Sequence, residues 1–370
     1  MAPKPDNLQE AQAKPAVAED SQNESTERPL PNWDTLTFSF TPTDVMYRSL
    51  GDTDLDPVWD KGDFLPFSDV ATSPSAAFMS YGLGCFEGLK AQRTDDGRVL
   101  LFRHGDNARR FQSSAARLLM APFPVEQFVE AVEGIVRKNI RFVPPREKGS
   151  FYVRPVQHAI DPKLGLGPCS KFWVMIYGCP VGGYFSTRTN TKGPEGVRLQ
   201  ALEQGRCAAG GTGSAKVMGN YAGGITVAAE WREKGFDDVL YLDAHHLKNI
   251  TETSGANVFV KLKSGPIVTP PLDSQILPGI TRDSAIRVAT DLLGQKVEER
   301  PITIDEALDD GDEIFCTGTA WTVQSVREIV HHDKAFTFTS RDVQTALLRE
   351  IQGIQIGERP DPFGWVTEVR

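Results

Sequence analysis

Apolar and polar positions recur along the chain with two periods, and these periods predict its elements. Leu36, Phe38 and Phe40 alternate with Thr35, Thr37, Ser39 and Thr41, which predicts a strand with one buried face. Val99-Leu100-Leu101-Phe102 is a short apolar strand. After it, Asp106 or Asn107 can cap a helix that carries Phe111, Ala115 and Leu118 on one face. Pro124 opens a second helix, in which Val125, Phe128, Val129, Val132, Ile135, Val136 and Ile140 follow a 3.6-residue period. Pro144-Pro145 closes that region, and residues 151–156 and 172–177 then read as strands.

The second half begins after a break. Residues 186–196 (STRTNTKGPEG) contain no apolar side chain and read as an interdomain linker. Beyond it the pattern predicts a helix over 221–234 and strands over 239–242 and 257–262. A helix over 281–293 follows, stopped by Gly294, and a strand over 313–316. Thr303 and Glu306 have capping-box spacing at the start of another helix. Residues 1–32 hold five prolines, no aromatic residue and more acids than bases before Trp33, the composition of a disordered tail. The tail has neither the apolar core of a secretory signal nor the arginine richness of a mitochondrial presequence. The expected organisation is a tail over 1–32, a smaller α/β domain over 33–185, the linker, and a larger domain over 197–370. The class is α+β, with strands and helices mixed.

Composition narrows the function. The chain has 370 residues, 40% of them apolar, which suits about two domains with substantial cores. Its net charge of −9 and pI near 5.3 argue against a nucleic-acid partner. No uncharged apolar run reaches the length of a membrane span. Five widely spaced cysteines without a CxxC predict neither a disulfide framework nor a zinc site, and a reducing compartment, the cytoplasm, fits best. His245-His246 and His331-His332 are adjacent pairs, and neighbours do not readily point at one ion, so no metal site is expected.

The segment Ala208 to Tyr221 (AAGGTGSAKVMGNY) places eight small residues before Lys216. Small residues let a flat group approach the backbone. A lysine in a crowded apolar pocket can act as a neutral amine on a carbonyl, although Gly-rich surface loops also carry lysines. Glu252 stands in a small polar stretch before a strand, where it either makes a turn or pairs with a ring nitrogen. Leu277-Pro278-Gly279-Ile280-Thr281 precedes a helix, and Thr317-Gly318-Thr319-Ala320 follows a strand. Each is either an ordinary turn or a cup for an anion. A lysine, an acid and two such cups in this order form a stronger signal than any one of them.

With those segments in place the chain resembles the fold type IV pyridoxal-phosphate enzymes, and among them the branched-chain amino acid aminotransferases. In the first half the resemblance rests on Tyr81-Gly82, Cys85-Phe86-Glu87-Gly88-Leu89-Lys90-Ala91, Leu101-Phe102-Arg103, Tyr152-Val153-Arg154-Pro155 and Pro180-Val181-Gly182-Gly183-Tyr184-Phe185. In the second half it rests on Gly213-Ser214-Ala215-Lys216, Gly219-Asn220-Tyr221, Lys234-Gly235-Phe236-Asp237, Leu240-Tyr241-Leu242-Asp243, Thr251-Glu252, Leu277 to Arg282 and Gly318-Thr319-Ala320. The resemblance implies a two-domain architecture with pyridoxal 5′-phosphate between the domains. It implies Lys216 as the lysine that holds the cofactor as a Schiff base and shuttles the proton. Glu252 becomes the partner of the pyridine nitrogen and Tyr221 that of the ring oxygen. Arg103 takes the phosphate together with Ile280, Thr281 and Thr319. Tyr81, Phe86, Tyr152, Tyr184 and Ala320 line the substrate pocket, with Arg154 beside it for a second carboxylate such as glutamate's. The implied partners are an amino acid, a 2-oxo acid and a second copy of the chain in a homodimer.

The chain also departs from the family pattern. After the acid it reads Thr253-Ser254-Gly255, without the hydroxyl the family carries at the third position. Trp321 and Gln324 stand where animal members carry a redox CxxC, and Trp321 is expected to reshape the pocket edge. These departures leave open an aminotransferase of secondary metabolism acting on an unusual or longer aliphatic 2-oxo acid. An aminodeoxychorismate-type lyase is the further alternative, and the long Phe86 to Ala91 match argues against it.

Overall fold

The computed structural model describes residues 27–183 and 196–370. The tail expected over 1–32 lies outside the described residues up to residue 26, but its end is ordered, with Arg28 N–H donating to Asp44 Oδ1 at 3.1 Å and its guanidinium to Phe67 O at 2.9 Å. The linker expected over 186–196 lies outside the described residues except for Gly196. Among the described residues, the first half builds seven strands of an eight-stranded sheet. Its strands are β1 (Val45–Asp52), β2 (Asp63–Pro66), β3 (Gly84–Phe86), β4 (Leu89–Arg93), β5 (Val99–Phe102), β6 (Ser150–Ala159) and β7 (Lys171–Val181), with α1 (Ala77–Tyr81) leading into β3. The order β5-β4-β6-β7-β1-β2 is antiparallel throughout, and β3 pairs with one end of β6.

Two helices, α2 (His104–Arg117) and α3 (Val125–Lys138), cover one face of this sheet. Their apolar stripes meet where the Phe111 and Phe128 rings lie 5.3 Å apart, both fully buried. Burying each large apolar side chain of this kind is worth about 1.5–3 kcal/mol. Alternation along β6 sends Phe151 and Val153 into that core and turns Tyr152 and Arg154 to the opposite face.

The second half forms a nine-stranded mixed sheet from β8 (Val197–Leu202), β9 (Asp238–Leu242), β10 (Ile250–Thr253), β11 (Asn257–Leu262), β12 (Ile267–Thr269), β13 (Val297–Glu299), β14 (Gly311–Gly318), β15 (Thr322–His331) and β16 (Lys334–Thr337). The parallel pair β8–β9 is joined through α4 (Gly219–Glu233). Three further helices, α5 (Ile280–Arg287), α6 (Ile304–Asp310) and α7 (Asp342–Gln355), complete this half. The chain then crosses back, and β17 (Val366–Glu368) pairs with β5 at the edge of the first sheet. The result is the mixed α+β class read from the sequence.

Several local expectations change. Residues 36–41 are not a strand. Thr37 O accepts from Gly182 N–H at 3.0 Å without starting a ladder, and the alternation instead reflects aromatic contacts of Phe38 with Tyr152 and Phe40 with Tyr177. Helix α2 begins at His104, earlier than a cap at Asp106 or Asn107 allows, because Arg103 takes a left-handed conformation at φ +53° and turns the chain into the helix. Thr303 caps α6 by accepting from Glu306 N–H at 3.1 Å, but Glu306's own carboxylate is drawn away to Arg300, so the capping box is one-sided. The helix over 281–293 is observed as α5 followed by a wider turn over Val288–Leu292, with Gly294 at φ +60° ending it.

Candidate functional site

Lys216 lies between β8 and α4, yet the first sheet holds it. Phe86 N–H donates to Lys216 O at 3.0 Å, and Met218 N–H donates to Gly84 O at 2.9 Å. Lys216 N–H donates to Ser114 Oγ on α2 at 2.9 Å. Ala215 and Val217 pack into the core of the first half. The small residues before the lysine serve this docking: a Cβ on Gly213 would come within 2.6 Å of the Gln275 backbone oxygen. The Lys216 amine points into a cavity between the two halves, 3.2 Å from Tyr221 Oη and 4.6 Å above the Phe86 ring centroid.

Glu252 closes one end of the cavity. It sits within β10 rather than in a turn and is 4% exposed. Arg206 forms an ion pair with its Oε1. The other oxygen accepts two long hydrogen bonds, from Asn257 Nδ2 and Leu277 N–H, each 3.4 Å. Burial pushes the Glu252 carboxyl up to about 7, against the pull of Arg206 and these donors.

The opposite end is polar and open to an anion. Gly279 is the N-cap of α5 and supplies no side-chain cap, so the first N–H groups of the helix face the cavity beside Ile280 and Thr281. A Cβ on Gly279 would collide with Asn257 Oδ1. The turn Gly318-Thr319-Ala320 between β14 and β15 lines the same end, and Thr319 Oγ1 donates to Gly88 O at 3.2 Å. Thr317 Oγ1 lines this wall buried and without a partner among the described residues.

Arg103 is placed differently from the expectation of a phosphate arginine. Its guanidinium is gripped by Asp106 and Asp283 at 2.6 Å each and donates to Ser284 Oγ at 2.9 Å, bracing the start of α5 from outside the cavity lining. The arginine that lines the cavity here is Arg110. It makes a two-pronged ion pair with the fully buried Glu87, Nε–Oε1 2.7 Å and Nη2–Oε2 2.8 Å. Burial alone would raise the Glu87 carboxyl, but Arg110 outweighs it and holds the group below its ordinary range, with Asn107 assisting.

Sequence reasoning missed both Arg110 and Arg206. A signal for Arg110 exists, since it falls on the same helical stripe as the buried Asn107, Phe111 and Ser114. Arg206 carries no comparable mark.

The substrate walls are partly assembled. Tyr152 and Ala320 line the cavity, and the Phe86 and Tyr152 rings flank the Arg154 guanidinium at 4.9 and 5.3 Å. Arg154 donates to Tyr152 Oη at 3.2 Å, while its Nε is buried without a partner among the described residues. Tyr81 stands apart, half exposed, its hydroxyl bonded to Leu164 O. Tyr184 lies outside the described residues. Trp321 does not reshape the pocket edge; it is buried in the core of the second half, because the turn after Ala320 directs it inward. Gly255 lines the cavity, and a side chain there would meet nothing within 4 Å. Behind the Thr319–Ala320 turn, Lys90 donates to Ala320 O at 3.4 Å, and burial brings its amine down to about 8.

The histidine pairs need one correction. His332 takes φ +47°, which ends the strand alternation and brings its ring 4.0 Å from that of His331. With Glu203 they place ligand-type atoms within 4.8 Å of one another, so adjacency does not keep these two rings apart. Glu203 and His332 pair at 3.2 Å and are both more than half exposed.

Comparison with known proteins adds to this geometry. The family model "Amino-transferase class IV" matches residues 84–329. A chloroplastic branched-chain amino acid aminotransferase 2 of Humulus lupulus is 40% identical over 365 residues, which span 96% of this chain and 85% of that protein. The methionine aminotransferase BCAT4 of Arabidopsis thaliana is 40% identical over 341 residues, 91% of this chain and 93% of that protein. The solved structure of the branched-chain aminotransferase from the archaeon Thermoproteus uzoniensis with norvaline aligns with a TM-score of 0.74 at 27% identity, covering 88% of this chain and 100% of that one. Among the described residues no helix is long and apolar enough to cross a membrane.

Proposed function

The chain belongs to the class IV aminotransferases, and on that premise we propose that it moves an amino group between a branched-chain or other aliphatic amino acid and 2-oxoglutarate, at the cavity around Lys216. The observation that carries the reading is the placement of the Lys216 amine 3.2 Å from a phenol, between a buried carboxylate and two anion cups. This donor set fits pyridoxal 5′-phosphate: an amine for its aldehyde, Tyr221 for its ring oxygen, Glu252 for its ring nitrogen, and the turns at Ile280-Thr281 and Thr319 for its phosphate. Thr317 Oγ1, buried and without a partner among the described residues, is a further donor for such a group on the same wall. Bound there, the cofactor supplies a carbonyl that condenses with amines and a ring that accepts electrons.

The chain's own residues supply the rest. Lys216 Nζ moves the proton at the reacting carbon, and Tyr221 Oη, its hydrogen-bond partner, steadies it. Glu252 holds its negative charge against a positive ring nitrogen, which lowers its proton affinity from the raised value that burial imposes. Arg103 braces the helix start that presents Ile280 and Thr281. Phe86, Tyr152 and Ala320 keep water from an aliphatic side chain. The Arg154 guanidinium, without a carboxylate partner among the described residues, receives the second carboxylate of glutamate.

We read the chain as two domains, 33–185 and 197–370, with 186–196 as their linker and the cavity between them. Leu164 and Leu166 are 94% and 86% exposed on one loop, Ile225 is 67% exposed on α4, and Tyr81 ties the first loop to α1. Exposed apolar side chains of this size favour a homodimer, which sedimentation equilibrium tests. The five cysteines are free and four are buried, which suits a reducing compartment such as the cytoplasm.

A second reading, a longer or unusual aliphatic 2-oxo acid, is favoured by the open space at Gly255. A panel of 2-oxo acids with glutamate as donor decides between the two. Activity on 4-methyl-2-oxopentanoate and its branched relatives supports the first, and a maximum at longer chains supports the second. Lys216→Ala is expected to lower turnover by about 10³-fold or more. Retention of turnover by that variant rejects the assignment.

A further inference from the structure

We propose that Glu203, His331 and His332 form a site for one divalent transition-metal ion of the zinc type, at the end of the second sheet away from the cavity around Lys216. None of the three lines that cavity, so the proposal does not depend on the class IV reading.

Strand pairing brings the three residues together. β8 runs parallel to β15, with Gln200 opposite Val330, so the two strands end side by side. His331 is the last residue of β15, and Glu203 follows the last residue of β8. His332 and Asp333 form the two-residue turn into β16, whose Lys334 pairs with His331. Both turn residues take positive φ, +47° and +60°. A type I′ hairpin needs that backbone, and Asn-Gly or Asp-Gly is its ordinary sequence. Consecutive side chains on a regular strand point to opposite faces. The turn at His332 breaks that alternation and sets its ring centroid 4.0 Å from that of His331.

The donor set suits a metal. One ring nitrogen of each histidine and one oxygen of Glu203 lie within 4.8 Å of one another, and among the described residues no other three such side chains converge this closely. His332 Nε2 and Glu203 Oε1 are 3.2 Å apart. The edge of a tetrahedron with metal–ligand bonds of about 2.0–2.2 Å is roughly 3.3–3.6 Å, so these two ligands need little movement. His331 is 7% exposed, and its Nε2 is buried without a partner among the described residues. Buried polar atoms rarely stay unpaired, and this imidazole has a nitrogen free to act as a ligand. The other two side chains are more than half exposed and reach the ion from solvent, which leaves a fourth position for water. Two imidazoles and one carboxylate favour Zn²⁺ over Mg²⁺ or Ca²⁺, which take oxygen donors. Bound there, the ion ties the end of β8 to the β15–β16 turn. The site stands ten residues of β15, roughly 30 Å, from the Thr319–Ala320 turn, so metal binding and turnover can be read separately.

The test is calorimetric titration of the full-length chain, freed of metal with EDTA and dialysed, with Zn²⁺ and separately with Mg²⁺. One Zn²⁺ per chain is expected, with Mg²⁺ bound at least roughly 10-fold more weakly. His332→Ala and Glu203→Gln are each expected to weaken Zn²⁺ binding roughly 10-fold or more, since even the outer partners of a metal ligand act on that scale. Zn²⁺ is expected to raise the unfolding midpoint of the wild type more than that of either variant. Turnover of both variants without added metal is expected to stay within about twofold of the wild type's. A wild type that takes up no Zn²⁺, equal affinity for Zn²⁺ and Mg²⁺, or unchanged Zn²⁺ affinity in either variant overturns the proposal. Loss of Zn²⁺ binding in His246→Ala places the ion at the other histidine pair and overturns it as well.

Discussion

Glu87 and Glu252 are both buried glutamates, each paired with an arginine that lines one cavity, and their protons behave in opposite ways. Glu87 has four donors on two oxygens and stays ionised below the ordinary carboxyl range. Glu252 has one ion pair and two bonds at 3.4 Å, and burial raises it to about 7. Burial is nearly complete for both, so the difference lies in how many donors satisfy the charge. A carboxylate with both oxygens held by close donors serves as a fixed strut. One left short of donors keeps an exchangeable proton and suits a place where a cationic ring nitrogen completes its shell.

The largest expected effect breaks the comparison directly. Arg110→Met removes the ion pair that holds the buried Glu87 below its ordinary range, leaving it only the Asn107 and Gly88 hydrogen bonds, and is expected to cost about 3–5 kcal/mol of stability at pH 7. Arg206→Met is expected to cost about 1–2 kcal/mol, because Glu252 can take up a proton instead. Urea unfolding of the two cofactor-free variants measures both, and equal costs would show that the two sites do not differ in kind.

Next in size is the dependence on pH. Between pH 4.5 and about 7 the folded chain keeps a proton on Glu252 that the unfolded chain has released, so stability from this group falls as pH rises, by about 3 kcal/mol across the window. Glu87 has the opposite sign: its contribution is full above the unfolded value near 4.5 and is lost as pH falls through its lower folded value. Glu252→Gln is therefore expected to flatten the decline between pH 5 and 7 in the cofactor-free protein. Glu87→Gln is expected to flatten the acid limb alone. Unfolding midpoints measured from pH 3 to 7.5 report both, and an unchanged profile in either variant removes that group from the account.

The smallest effect extends the comparison to Arg154, an arginine with no carboxylate partner among the described residues. If glutamate supplies the missing carboxylate, Arg154→Leu loses a charge-assisted bond of about 1.5–3 kcal/mol in the glutamate half-reaction, roughly 10- to 150-fold. The leucine half-reaction is expected to be nearly unaffected. Single-turnover measurements of each half-reaction separate the two, and equal losses identify Arg154 as structural.

The class of fold, the main strands and helices and the chemistry-bearing lysine, acid and turns were legible in the sequence, because periodicity and turn residues act over a few positions. Helix α3 and strands β6, β7 and β11 lie where their patterns predict, with β6 and β7 longer at both ends. The strand expected over 36–41 was misread because aromatic residues placed two apart pack on Tyr152 and Tyr177 without joining the ladder. Arg110 was hidden among the charges of α2, and Arg206 stood beyond any local motif.

The sequence by itself determined which residues had the chemistry: a lysine after a run of small residues, a glutamate before a strand, and glycine and threonine turns at a helix start and a strand end. Only the tertiary structure decided which of them meet. Val217 bridges to Cys85, so a segment of the second half is held by the first and Lys216 faces Tyr221 and Phe86. Arg103, expected at the phosphate end, stands behind the cavity wall, and Arg110, for which the linear pattern predicted no role, lines it. The physical reason is that local patterns set backbone geometry through nearest neighbours, whereas the state of a buried charge depends on every donor that packing brings to it from distant parts of the chain.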